Sequence, residues 1–228
     1  MAKAFTRIGE RRYLSRPWKS AIYPGRGGNG FSLTELLIVL SVGMVAAAMA
    51  MMAFENAARS VRLSEAGADY ANLLQTARVR AVQDDRYYSV LMTISSTAAP
   101  TAFVDIAGTG TYGTGDPRIV FPEGVTNMAF ASGPALANLE SQFLPPGANS
   151  LITINTTTAG PTFGPRGLPC SPTPGAAGSV TCPSTTPTSY ITFIQNQENT
   201  QWEAITVTPA GRVREWTYDN YGAWSPRN

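Results

Sequence analysis

Leu36 to Phe54 is a run of nineteen residues without a charge, and a carboxylate, Glu35, stands at its head. At about 1.5 Å of rise per residue, a helix over this run is roughly 28 Å long, close to the thickness of a bilayer core. One helix can therefore span a membrane. An unpaired carboxylate costs several kcal/mol on entering hydrocarbon, so Glu35 needs a cation. A removable secretory signal, with Ala48-Met49-Ala50 as its cleavage pattern, or a plain membrane anchor would each account for the apolar run. Neither requires an acid at its start, nor the Gly30-Phe31 pair just upstream.

The stretch Gly30-Phe31-Ser32-Leu33-Thr34-Glu35 resembles the type III signal of prepilins. The resemblance implies that prepilin peptidase cuts between Gly30 and Phe31 and methylates the amino terminus freed on Phe31. That amine is the missing cation. In assembled filaments of such proteins the carboxylate matching Glu35 meets the amine on Phe31 of its own or a neighbouring subunit. Gly30 and Phe31 are thus expected to be processing residues, and Glu35 an assembly residue.

Residues 1–30 then form a leader in which seven basic residues, Lys3, Arg7, Arg11, Arg12, Arg16, Lys19 and Arg26, face the single acid Glu10, a net +6. Such a charge favours retention on the cytoplasmic side. Gly25, Gly27, Gly28 and Gly30, with Pro24, suit a flexible segment that a peptidase can extend into its site. Without the leader, ten Arg, no Lys and fourteen acids leave the chain at −4. Global charge therefore gives no support to nucleic-acid binding.

Beyond the apolar run the helix is expected to continue from residue 55 to about residue 86, since no proline interrupts it and only Gly67 is a poor helix former there. Leu63, Gly67, Tyr70, Leu74, Ala77 and Ala81 recur at steps of three and four, which puts them on one face suited to packing on a sheet. From Tyr87 the period changes. Short β-rich runs at 87–94, 102–106, 118–121, 125–130, 151–154, 190–194, 202–208 and 212–218 are bounded by Gly, Pro, Asp and Asn. The expected fold is α+β and pilin-like: a long N-terminal helix, membrane-spanning over 31–54, packed through 55–86 on antiparallel sheets of one β-rich domain at 87–228.

Pro165 to Ser189 holds six prolines and no hydrophobic period, and is expected to be an exposed loop. It also holds both cysteines, Cys170 and Cys182. Two cysteines cannot build a tetrahedral zinc site, and their spacing is not C-x-x-C, so a disulfide is expected in an oxidising compartment. Closing a loop of that size contributes on the order of 2–3 kcal/mol.

Enzymatic chemistry is poorly served. The chain has no His, and no Lys after the leader, which removes the usual general base, Schiff-base amine and most transition-metal ligands. Asp84-Asp85, at a helix end, suits a solvated stop better than an acid/base dyad. No phosphate-binding Gly loop with its Lys and no Ser elbow is present. No catalytic residue, metal site or cofactor is expected.

Later segments sharpen the resemblance. Residues 71–81 (ANLLQTARVRA), Thr162-Phe163-Gly164-Pro165-Arg166-Gly167, and Gly211-Arg212-Val213-Arg214 are similar to the GspH/FimT family of minor pilins and secretion pseudopilins. This implies a single-pass inner-membrane protein with its C-terminal domain in the periplasm, partnered by other pilin or pseudopilin subunits and by prepilin peptidase. Within that family a Gly-Arg-x-Arg motif marks the type IV pilus branch that binds DNA in natural transformation, so the resemblance implies DNA-binding roles for Arg212 and Arg214. On a strand these two arginines share a face about 7 Å apart, each able to meet a phosphate, while Trp216, Tyr218, Tyr221 and Trp224 lie close enough in sequence to stack on bases. The alternatives are ordinary surface arginines paired with Glu203, Glu215 or Asp219, and a GspH-like pseudopilin of type II secretion with no DNA contact.

Overall fold

A computed structural model describes residues 30–93, 100–127, 137–144, 150–154, 160–174, 180–182, 188–196, 201–218 and 222–227. The chain divides into two units, residues 1–47 and 48–228. One helix, α1 (Leu33–Gln83), supplies the described helix of the first unit and opens the second.

In the first unit every described residue is exposed, the apolar side chains included: Leu36, Leu37, Ile38, Val39 and Leu40 are all more than half exposed. Mean hydropathy reaches 2.4 over an eighteen-residue window of α1 that buries nothing, so by length and composition α1 can cross a membrane.

In the second unit the helix changes character. Its buried residues begin at Leu63 and continue through Ala66, Gly67, Tyr70, Ala71, Leu73, Leu74, Ala77 and Ala81, the face that the sequence spacing marks out. The helix ends where Asp85 takes a left-handed conformation (φ 52°) and the Arg86 amide donates to the Ala81 carbonyl (3.1 Å), a Schellman-type closure. The Tyr88 hydroxyl donates to the Asp84 carboxylate (2.8 Å), so Asp84 also anchors the chain turning into the sheet.

The first sheet is built on β1 (Tyr88–Thr93), which pairs antiparallel with β2 (Thr101–Asp105); β2 carries β3 (Arg118–Val120) on its outer edge. The second centres on two later strands. Before them come β4 (Val125–Asn127), α2 (Ala137–Phe143), β5 (Ser150–Ile154), β6 (Thr162–Phe163), β7 (Pro169–Cys170), and a small hairpin of β8 (Thr173–Pro174) with β9 (Val180–Thr181). The chain then runs through β10 (Thr188–Asn196), β11 (Trp202–Val207), β12 (Val213–Tyr218) and β13 (Trp224–Pro226). The first sheet is ordered β3-β2-β1-β6-β7 and the second β13-β12-β11-β10-β4.

Several features depart from the sequence expectation, among them β6 and β13, which lie outside the expected strand runs. Strand β5 joins β10 in parallel, against an otherwise antiparallel plan, because β10 has nine residues: β4 pairs with its last three and β5 with Thr188–Thr192. Helix α2 has no counterpart among the expected elements; it buries Leu139 and Phe143 with too few residues to show a period. The proline-rich stretch is not all loop, since β7, β8 and β9 lie in it as two-residue strands, and Pro169 heads β7, which among the described residues pairs with β6 alone, at the edge of the first sheet.

Two apolar clusters hold the unit together. In one, α1 packs through Tyr70, Leu74 and Ala77 on side chains of both sheets, including Val90, Val104, Phe163, Ile194, Ile205 and Val207. The other lies on the opposite face of the second sheet, where Ile191, Phe193, Trp202, Trp216 and Trp224 meet Leu139 and Phe143 of α2. The alternation of β11, with Ile205 and Val207 toward α1 and Trp202 and Ala204 away from it, is that of a strand buried on both faces.

Candidate functional site

At the amino-terminal end Gly30 and Phe31 precede the helix, and Phe31 is 79% exposed. A Cβ built on Gly30 meets nothing within 4 Å, so the fold itself does not demand glycine there. The Leu36 amide donates to the Ser32 carbonyl (3.1 Å) to start the helix, and Glu35 lies in its first turn, where the positive end of the helix dipole favours an anion. Phe31 and Glu35 are therefore presented together at one exposed helix start.

The other candidate lies at the hairpin between β11 and β12. The Gly211 amide donates to the Thr208 carbonyl (2.8 Å), the Thr208 amide to the Arg212 carbonyl (2.9 Å), and the Arg212 amide to the Thr208 hydroxyl (3.1 Å). Gly211 has φ +77°, and a Cβ there would lie 2.6 Å from the Gly167 carbonyl oxygen, so turn geometry and close approach both require glycine. Past the turn, Val213 packs on the α1 cluster while Arg212 is exposed and Arg214 half-buried. A groove of about 480 Å³ beside them is lined by Ala68 of α1 and by Arg212, Val213, Arg214, Glu215, Pro226 and Arg227.

The carboxylates expected as partners of Arg212 and Arg214 are taken by a different arginine. Arg227 donates to the Glu203 carboxylate (3.3 Å) and to the Ser64 carbonyl of α1 (3.0 Å), and lies 3.6 Å from Glu215. Its amide also donates to the Glu215 carbonyl (2.9 Å). Among the described residues neither Arg212 nor Arg214 has an ion pair; Asp219 lies outside them. Glu203 is only 4% exposed, and burial pushes its carboxyl up to about 7 even though Arg227 pulls it down; Glu215 adds to the rise. Its Oε2 has no hydrogen-bond partner among the described residues and abuts the position a Cβ on Gly67 would fill.

Of the aromatic residues placed by sequence within reach of exposed bases, Trp216 and Trp224 are core instead. Trp216 is 1% exposed and donates its indole N–H to the Thr206 hydroxyl (2.9 Å); Trp224 is buried, and the half-buried Tyr218 ring lies 5.1 Å from it. Tyr221 lies outside the described residues. Trp216 and Tyr218 follow the same strand alternation as Arg214, but α2 covers their face farther along the strand.

Cys170 and Cys182 form the expected disulfide, with Cα atoms 5.7 Å apart. It ties β7 to the end of the β8–β9 hairpin, and the Tyr190 hydroxyl, whose ionisation burial strongly disfavours, donates to the Cys170 carbonyl. Among the described residues no group of three or more acids or cysteines could hold a metal ion.

Residues 26–51 match the prokaryotic N-terminal methylation motif. The match supports a type IV prepilin-like protein, and the exposed apolar helix fits a membrane-anchored pilin. No curated protein and no solved structure matches the chain.

Proposed function

We propose that this chain is a structural, non-enzymatic minor pilin of a type IV pilus-like filament, cleaved after Gly30. It acts in assembly or at the filament tip, anchored in the bacterial inner membrane through residues 31–54 with residues 87–228 in the periplasm. The observation that carries this reading is one helix with two uses: a wholly exposed apolar half that bears the methylation motif, and a second half that forms the core of a folded domain. The exposed half needs lipid or the apolar helices of neighbouring subunits around it. In either setting, Glu35 is matched by the amine that cleavage creates on Phe31. Mass spectrometry of the protein from cells with prepilin peptidase should find an N-methylated Phe31; an intact leader, or a terminus near Met51, would refute the reading.

The finer assignment is to the GspH/FimT branch that contacts DNA, through Arg212 and Arg214. Its support is electrostatic: Arg227 occupies Glu203 and Glu215, leaving the two arginines at the turn without a counterion among the described residues. Changing both to Ala should weaken DNA binding about equally for unrelated sequences, and should flatten the slope of log affinity against log salt by about 2. The burial of Trp216 and Trp224 favours a second reading, a type II secretion pseudopilin with no DNA contact, because a non-specific single-strand site relies on exposed rings. No DNA binding by the wild-type protein at low salt would select it.

A further inference from the structure

The Gly211 turn does not stand alone. It touches a second turn, Gly164 to Leu168, closed by the Gly167 amide donating to the Gly164 carbonyl (2.8 Å) and the Gly164 amide to the Leu168 carbonyl (3.0 Å). Arg78 of α1 joins the two: its Nε donates to the Gly167 carbonyl (3.0 Å) and lies 3.1 Å from where a Cβ on Gly211 would be. Arg166 and Arg212 are the exposed neighbours of these two glycines. From backbone dimensions their Cα atoms are at most roughly 14 Å apart, about four base-pair steps of 3.4 Å.

The Arg78 guanidinium thus sits against a pair of turns that also carry Arg166 and Arg212, and among the described residues none of the three arginines has an ion pair. Like charges gathered without a counterion repel, so the arrangement favours an anion supplied from outside. The glycine contact also fixes the two turns against each other before any ligand arrives, which reduces the ordering cost of binding.

We propose that Arg166 is a third phosphodiester contact, extending the site from the β11–β12 turn onto the Gly164–Leu168 turn, with Arg78 positioning the two. This rests on the reading that Arg212 and Arg214 meet phosphates. It predicts a contact from residues more than forty positions away in the chain, on a different sheet.

The test uses the full chain in detergent micelles and a short mixed-sequence DNA duplex carrying fluorescein, with anisotropy measured from about 50 to 200 mM salt. Arg166→Ala should weaken binding roughly tenfold at the lowest salt and flatten the log–log slope by about 0.9, while Arg166→Lys keeps most of the slope. Arg166 is exposed, so circular dichroism should be unchanged. If wild type binds and Arg212→Ala with Arg214→Ala weakens binding and flattens the slope, but Arg166→Ala leaves the slope intact, Arg166 is no contact and the reading of Arg212 and Arg214 stands. Weaker binding at an unchanged slope also overturns the proposal, because it reports an indirect effect. Absence of wild-type binding at low salt overturns the DNA reading and this extension together.

Discussion

Changing Glu203 to Gln should stabilise the domain at neutral and alkaline pH and do nothing at acid pH. Glu203 is buried against α1 beside Gly67, and among the described residues its charged support is Arg227, whose side chain is 37% exposed. Its carboxyl titrates near 7 in the folded domain against 4.5 as the ordinary value. The folded state therefore holds a proton that the unfolded chain has already released between those two values. Stability from this group is complete below about 4.5, declines as pH rises, and is lost by about 7. At 1.36 kcal/mol per pH unit a shift from 4.5 to about 7 corresponds to a loss of about 3–4 kcal/mol, an upper figure because Arg227 and its partners can relax. Urea unfolding of residues 59–228 at several values between pH 4 and 8, for wild type and Glu203→Gln, isolates the effect, since other carboxylates cancel in the difference. The variant's advantage should grow through pH 5–7 and then level off. Arg227→Ala should show the opposite dependence, costing about 3–5 kcal/mol at pH 8, where it strands a buried charge, and much less near pH 4. A difference that does not vary with pH, or an advantage for wild type at pH 8, would refute the reasoning.

Three further outcomes are expected. Gly30→Leu should leave the leader on while the domain folds normally, because nothing in the fold crowds position 30; anti-leader blotting and circular dichroism read the two parts. Glu35→Ala should still insert and be cleaved, since losing a charge eases insertion, yet it should be depleted from sheared filaments; wild-type incorporation would exclude a pairing of Glu35 with the Phe31 amine. Cys170→Ser with Cys182→Ser should lower stability by about 2–3 kcal/mol without changing the circular dichroism spectrum, and an unchanged melting temperature would show that the β7 to β9 region holds without its crosslink.

Much of this protein is written in local patterns. A charge-free run behind Glu35, a three- and four-residue spacing from Leu63 to Ala81, and β-rich runs bounded by turn residues each report their own segment, because helix and strand impose fixed periods. The pairing of Cys170 with Cys182 was equally legible, there being no third cysteine. Helix α2 and the two-residue strands were not, since elements that short have no period to read.

The arginines show where local patterns stop. Val213 facing the core, with Arg212 and Arg214 on the other side, follows from alternation along one strand. Which carboxylate meets which arginine does not: Glu203, Glu215 and Arg227 come together only because β11, β12 and β13 lie side by side, and Ser64 joins them only because α1 crosses that sheet. Likewise, Trp216, Tyr218 and Trp224 look available for stacking until they pack in one cluster with α2, and Gly167 and Gly211 touch only when two sheets close around Arg78. Period is a property of neighbours along the chain, so the sequence alone determined α1, the longer strands and the faces they present. Ion pairing, burial and turn-to-turn contact depend on distances between segments far apart in the chain, and these the tertiary structure decided.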